Sequence, residues 1–148
     1  VRVLAIDFGL KRVGLAMSDP GGTLALPYAT LVKKDNSQLF SEIKDVLDLE
    51  GVDCLVVGLP VGLEGEETLS TRQARNFARR LSRITSRPVY LQDETLSSTE
   101  AAQRLRESGL SARKQKPVLD QMAAVVILES FLASSSPTDC TPTTGHTE

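Results

Sequence analysis

The opening stretch, VRVLAIDFGLKRVGLAMSD, constrains the fold more than any other part of the chain. Five of its first six residues are apolar, as in a strand buried on both faces, and the run stops on a carboxylate, Asp7, beside Phe8 and Gly9. Lys11 and Arg12 follow at once, and the chain re-enters an apolar run from Val13 to Met17. The stretch therefore reads as a hairpin with a basic tip. A surface aspartate that merely ends a strand explains Asp7 taken alone, so acids elsewhere must decide whether it has a chemical role.

Asp19-Pro20-Gly21-Gly22 is a turn signal, and Thr23 to Leu31 reads as a third strand completing an antiparallel meander. Ser37 is a candidate N-cap for a helix in which Leu39, Phe40, Ile43, Val46 and Leu47 recur at helical spacing, with Gly51 just past its end. Asp53 to Leu59 is almost wholly apolar and Val-rich, the mark of a strand inside a parallel sheet; Gly58, Pro60, Gly62 and Gly65 then signal a loop. From Leu69 to Ile84 a helical wheel puts Ala74, Phe77, Ala78, Leu81 and Ile84 on one face and Arg72, Arg75, Arg79 and Arg83 on the other. A solvated face would explain the arginines without any partner.

A short strand is expected over Val89 to Gln92, running into Asp93 and Glu94, and Ser97 with Glu100 has capping-box spacing for a helix continuing to Gly109. Arg113, Lys114 and Lys116 read as a basic linker, and Pro117 as the first turn of a helix whose Val118 to Leu132 is apolar on nearly all sides. Asp120 stands out there, although a carboxylate near a helix N-terminus is favoured by the dipole. The expected organisation is one domain over 1–133 and a disordered Ser/Thr/Pro tail over 134–148.

Composition narrows the chemistry. The single histidine, His146, lies near the C-terminus, so acid–base or metal chemistry falls to carboxylates. A net charge of −2 offers no global attraction to nucleic acid, which leaves local clusters among the 17 Lys and Arg residues. Two cysteines make no disulfide framework, and Cys54 reads as a small core residue. With neither a membrane-length apolar run nor a signal-peptide layout, the expected location is the cytoplasm and no membrane partner is expected.

Three strands followed by helix–strand–helix–strand–helix–helix describe a mixed α/β sheet covered by helices. If the first, fourth and fifth strands run parallel, Asp7 and Glu94 end strands on one sheet edge, where open α/β sheets bind ligands, and Asp120 can lean over the same point. Three converging carboxylates repel one another, and Mg²⁺ or Mn²⁺ would relieve the repulsion. A pair of such ions roughly 4 Å apart can activate water for phosphodiester cleavage. A polyanionic substrate would in turn employ Lys11, Arg12, the arginine face of the second helix and Arg113, Lys114 and Lys116.

IDFGLKRVGLAMSDP, VGLP with its glycine-rich loop, DETLSS and KPVLDQMAAVVIL resemble, in order, the four signature blocks of the YqgF/RuvX family. Its members are Holliday-junction resolvases, also described as nucleases that mature the 5′ end of the 16S ribosomal RNA precursor. The resemblance spans about Val3 to Leu132. It implies a ribonuclease H-like fold: a mixed five-stranded sheet, three antiparallel strands then parallel crossovers, with helices on both faces. It further implies Mg²⁺ or Mn²⁺ held by a catalytic triad of Asp7, Glu94 and Asp120, and nucleic-acid contacts from Lys11, Arg12, Arg72, Arg75 and Arg79. Val61-Gly62 departs from the polar residue usual after VGLP.

The expected partner is an RNA precursor or branched DNA, bound by a monomer or homodimer. A sugar-kinase-like ATP-binding domain shares the opening hairpin, but it needs a second domain and leaves Glu94 and Asp120 idle. A non-catalytic RNA-binding or ribosome-assembly module is the remaining alternative.

Overall fold

The computed structural model describes residues 1–9, 11–62, 64–94 and 112–134, the backbone alone over 112–119. Five strands form one sheet in the order β3-β2-β1-β4-β5. They are β1 (Val3–Phe8), β2 (Arg12–Ser18), β3 (Ala25–Val32), β4 (Cys54–Pro60) and β5 (Val89–Glu94). β2 is antiparallel to β1 and β3, whereas β4 runs parallel to β1 and β5 parallel to β4. The described helices are α1 (Asn36–Glu50), α2 (Leu69–Thr85) and α3 (Ala112–Ser134). The expected mixed α/β sheet is therefore present, and Phe8, Pro60 and Glu94 close their strands at one edge.

Alternation along β1 sorts the two cores. Leu4 and Ile6, with Val13, Leu15, Leu55 and Val57, face the apolar sides of α1 and α2; Val3 and Ala5, with Ala16, Val56 and Tyr90, face α3. Helices thus cover both faces. Residues 123–128 of α3 are all buried, as their unbroken apolar run requires. Each large aliphatic side chain so enclosed contributes about 1.5–3 kcal/mol.

Several boundaries differ from expectation for local reasons. α1 is capped by Asp35 rather than Ser37, because the Asp35 carboxylate reaches the backbone N–H of Gln38 at 2.8 Å. Gly51 ends that helix with φ 65°, as expected. In α2, Ile84 is 41% exposed and Thr85 takes the buried place, its hydroxyl donating to the Leu81 carbonyl. Arg12 begins β2 instead of forming the hairpin tip, and β5 continues through Glu94.

α3 opens at Ala112, so the expected basic linker is its first turns and Pro117 lies inside it. A proline there supplies no N–H for the Arg113 carbonyl. Cys54 is fully buried, as expected of a small core residue. The helix expected from Ser97 to Gly109 and the tail expected beyond Ser134 lie outside the described residues.

Candidate active site

Asp7 stands one residue from the end of β1 and faces the α3 side, in step with Val3 and Ala5. Its antiparallel partner is Gly14 of β2. A Cβ on Gly14 would meet the Asp120 carbonyl oxygen at 2.0 Å and its Cβ at 3.0 Å, so α3 rests its backbone directly on this glycine. The missing side chain is what brings Asp120 beside Asp7. A glycine inside an otherwise apolar strand, as in VGLAM, is the sequence signal for such an approach.

The electrostatics follow from that contact. Burial, and after it the charge of Asp120, raise the Asp7 carboxyl from its ordinary 3.8 to about 6. Asp120 is itself bonded by Arg12, whose Nε donates to Oδ2 at 2.7 Å. It lies more than two turns inside α3, so the N-terminal dipole does not account for it; the guanidinium and the glycine seat do.

Glu94 ends β5 on the same face, since Tyr90 belongs to the α3 core and alternate residues share a side. Asp93 is thereby directed to the other face. Two strand spacings, roughly 10 Å, separate β5 from β1, with Gly58 of β4 between them. Among the described residues no three His, Cys, Asp or Glu side chains gather closely enough to hold a metal ion. The structure brings Asp7 and Asp120 together and leaves Glu94 on the shared face without closing a triad.

The donor chemistry fits a hard divalent cation. Two adjacent carboxylates, one desolvated enough to hold its proton to about pH 6, supply oxygen ligands whose mutual repulsion a cation removes.

The basic residues distribute unevenly. Lys11 is exposed beside Arg12, near the acids. Arg72 and Arg79 are exposed on α2, but that helix covers the other face of the sheet. Arg75 is half-buried and paired with Glu67 at 2.6 Å. α2 begins just beyond the C-terminal edge of β4, so Arg72 and Arg75 lie nearest the acids around that edge. Thr68 and Thr71 form a capping box there, and the Thr71 hydroxyl also donates to the Pro60 carbonyl. A Cβ on the Gly62 of the unusual Val61-Gly62 pair would meet the Glu66 carboxylate at 2.1 Å, the end of a side chain that can turn away.

Comparison with known proteins places this arrangement. The family profile described as "RuvX: Holliday junction resolvase" matches residues 1–134. A relative from Maridesulfovibrio salexigens, named "Putative pre-16S rRNA nuclease", is 49% identical over 133 residues, covering 90% of this chain and 98% of the relative. One from Oleidesulfovibrio alaskensis with the same name is 50% identical over 132 residues, 89% of this chain and 92% of its own length.

Among solved structures, Thermus thermophilus RuvC in complex with a Holliday junction substrate aligns with a TM-score of 0.57 at 16% identity, over 93% of this chain and 98% of that one. The fowlpox virus Holliday junction resolvase gives 0.53 at 12% identity, over 91% and 100%. At such identities these two structures speak for the fold, which is the ribonuclease H-like one.

Proposed function

Because the chain belongs to the RuvX family of Holliday junction resolvases, we propose that it is a divalent-metal-dependent nuclease of structured nucleic acid, acting at the 5′ end of the 16S ribosomal RNA precursor. The names of its near relatives support the RNA substrate. The observation that carries the chemistry is the desolvated Asp7 carboxyl held beside Asp120 at the C-terminal edge of the sheet.

In this reading Asp7 and Asp120 hold Mg²⁺ or Mn²⁺, and Glu94 completes the donor set from the same face. A divalent ion bound there supplies charge stabilisation to the phosphate and a water of lowered pKa. Asp7 must give up its proton to serve as a ligand, and its burial keeps competing water from the carboxylate. Gly14 sets the position of Asp120. Arg12 neutralises Asp120 and, once displaced from it, has a guanidinium free for a phosphate oxygen. Lys11 adds a second cation at the same end of β1, while Arg72, Arg75 and Arg79 hold backbone further around the edge. The site works on a polyanion in the cytoplasm, as a monomer if it trims a precursor.

The family description favours a second reading, resolution of four-way DNA junctions, which requires two such sites in a dimer. The test sets the purified chain against labelled 16S precursor, single-stranded RNA and four-way DNA junctions, with Mg²⁺, Mn²⁺ or chelator. Cleavage of the precursor should need the metal and disappear in Asp7→Asn. Cleavage that survives both chelator and Asp7→Asn overturns the mechanism. Paired cuts in the junction, with the precursor untouched, transfer the function to DNA; salt-sensitive binding with no cleavage makes the chain a binding module.

A further inference from the structure

The strand end that carries Asp7 on one face carries Phe8 on the other, and Phe8 begins a stack of three rings. Its centroid lies 4.3 Å from that of Phe77, which lies 5.4 Å from that of Phe40, with planes inclined by 18° and 12°. A cation caps each outer ring: Lys33 Nζ is 4.3 Å from the Phe8 centroid, and the Arg80 guanidinium carbon 5.0 Å from that of Phe40. Beside the stack opens a cleft of about 210 Å³, whose remaining wall is three amides, Asn36, Gln73 and Asn76.

Core packing explains Phe40 and Phe77, which are only 5% and 4% exposed. It does not explain the polar rim. The chain has 19 acidic residues against 17 basic ones, yet among the described residues no carboxylate lines this cleft and two cations do. The ring faces are occupied by one another and by the cations, so the cleft meets ring edges, the positive rim of the aromatic quadrupole. Cations, amide N–H groups and ring edges together call for an anion that also has apolar surface.

We propose that this cleft seats the backbone of an unpaired strand of the nucleic-acid substrate, one nucleotide at a time, with phosphates on Lys33 and Arg80 and the amides on sugar and base edges. The inference rests on the nuclease reading and extends it to a substrate subsite. The volume is below the roughly 300–1,000 Å³ of drug-sized sites and excludes a duplex. Position agrees: the cleft lies around the sheet edge from Asp7, on the helix that also exposes Arg72 and Arg79.

The experiment is fluorescence anisotropy of the full chain with a short labelled single-stranded oligoribonucleotide in chelator, so that cleavage plays no part. Lys33→Ala combined with Arg80→Ala should weaken binding about tenfold and flatten the slope of log K against log salt by about 1.4, two phosphates at about 0.7 each. Gln73→Ala with Asn76→Ala should weaken binding with the slope unchanged. Lys44→Ala, on the exposed side of α1, is the single-charge control away from the cleft and should leave affinity within about twofold. Melting temperatures of all variants report whether the fold is intact.

Inorganic phosphate or a free mononucleotide competing at the same concentration as the oligonucleotide would make the cleft a small-molecule site and overturn the inference. Unchanged affinity and slope in the double cation variant would overturn it as well. If metal-dependent cleavage is still lost in Asp7→Asn, that failure leaves the nuclease reading standing; absence of cleavage by the wild type fells the nuclease reading by itself.

Discussion

Asp7 keeps its proton up to about pH 6 because burial and the Asp120 charge both disfavour its ionised form. The folded chain therefore binds that proton more tightly than the unfolded chain does. The stability due to protonated Asp7 is fully present below about pH 4 and is lost as pH rises through about 6, to the extent of about 1–3 kcal/mol. Asp7→Asn should accordingly raise the melting temperature at pH 8 and not at pH 4, in thermal scans with chelator, while abolishing cleavage. An equal shift at both pH values would refute the assignment. If Asp120 holds the proposed divalent ion, Arg12 competes with that ion for its carboxylate, so Arg12→Gln should tighten Mn²⁺ binding several-fold by calorimetry and weaken nucleic-acid binding; weaker Mn²⁺ binding would show that Arg12 supports the site instead. Asp7 and Asp120 were legible as candidates because each is an acid in an apolar run. That Asp120 can lean over Asp7 followed from the strand order; what seats it there did not, because that is Gly14, whose meaning is the absence of a side chain.

At the scale of elements, α3 is located by glycines in the sheet beneath it. A Cβ at Gly14 strikes the Asp120 backbone, whereas one at Gly58 would meet the Ile127 Cδ1 at 2.3 Å, the end of a side chain that can turn away. Gly14→Ala should therefore cost about 1–3 kcal/mol in urea denaturation, and Gly58→Ala less. Equal losses would mean that Asp120 also yields easily. Strand polarity and the two helix faces of the sheet could be read from periodicity, because VLAIDF and DCLVVGL are apolar on both sides in the way only a covered parallel sheet demands. The start of α3 could not. Pro117 is a conventional helix opener, and nothing local in Ala112 to Lys116 announces that the helix has already begun.

For the whole molecule, the acids and the arginine helix occupy opposite faces of one sheet, and α2 begins just beyond its C-terminal edge. Nucleic acid gripping both must follow that edge. Arg72→Ala with Arg75→Ala should weaken binding and flatten its salt dependence while leaving the melting temperature within about 2 °C, since the exposed Arg75–Glu67 pair contributes at most about 1 kcal/mol. Unchanged affinity would make the row a solvated face. The helical wheel disclosed that row, but helix periodicity carries no information about which side of the sheet receives it.

The neighbours Asp7 and Phe8 show how closely the two sides are tied. Side chains alternate along a strand, so sliding β1 by one position against β2 and β4 would turn the aspartate into the apolar layer and the ring toward Asp120. A single slip ruins the acid pair and the aromatic stack together. The strand thus acts as a parity check: a mispaired sheet cannot retain a half-working site, and a chain that presents either feature correctly has already guaranteed the other.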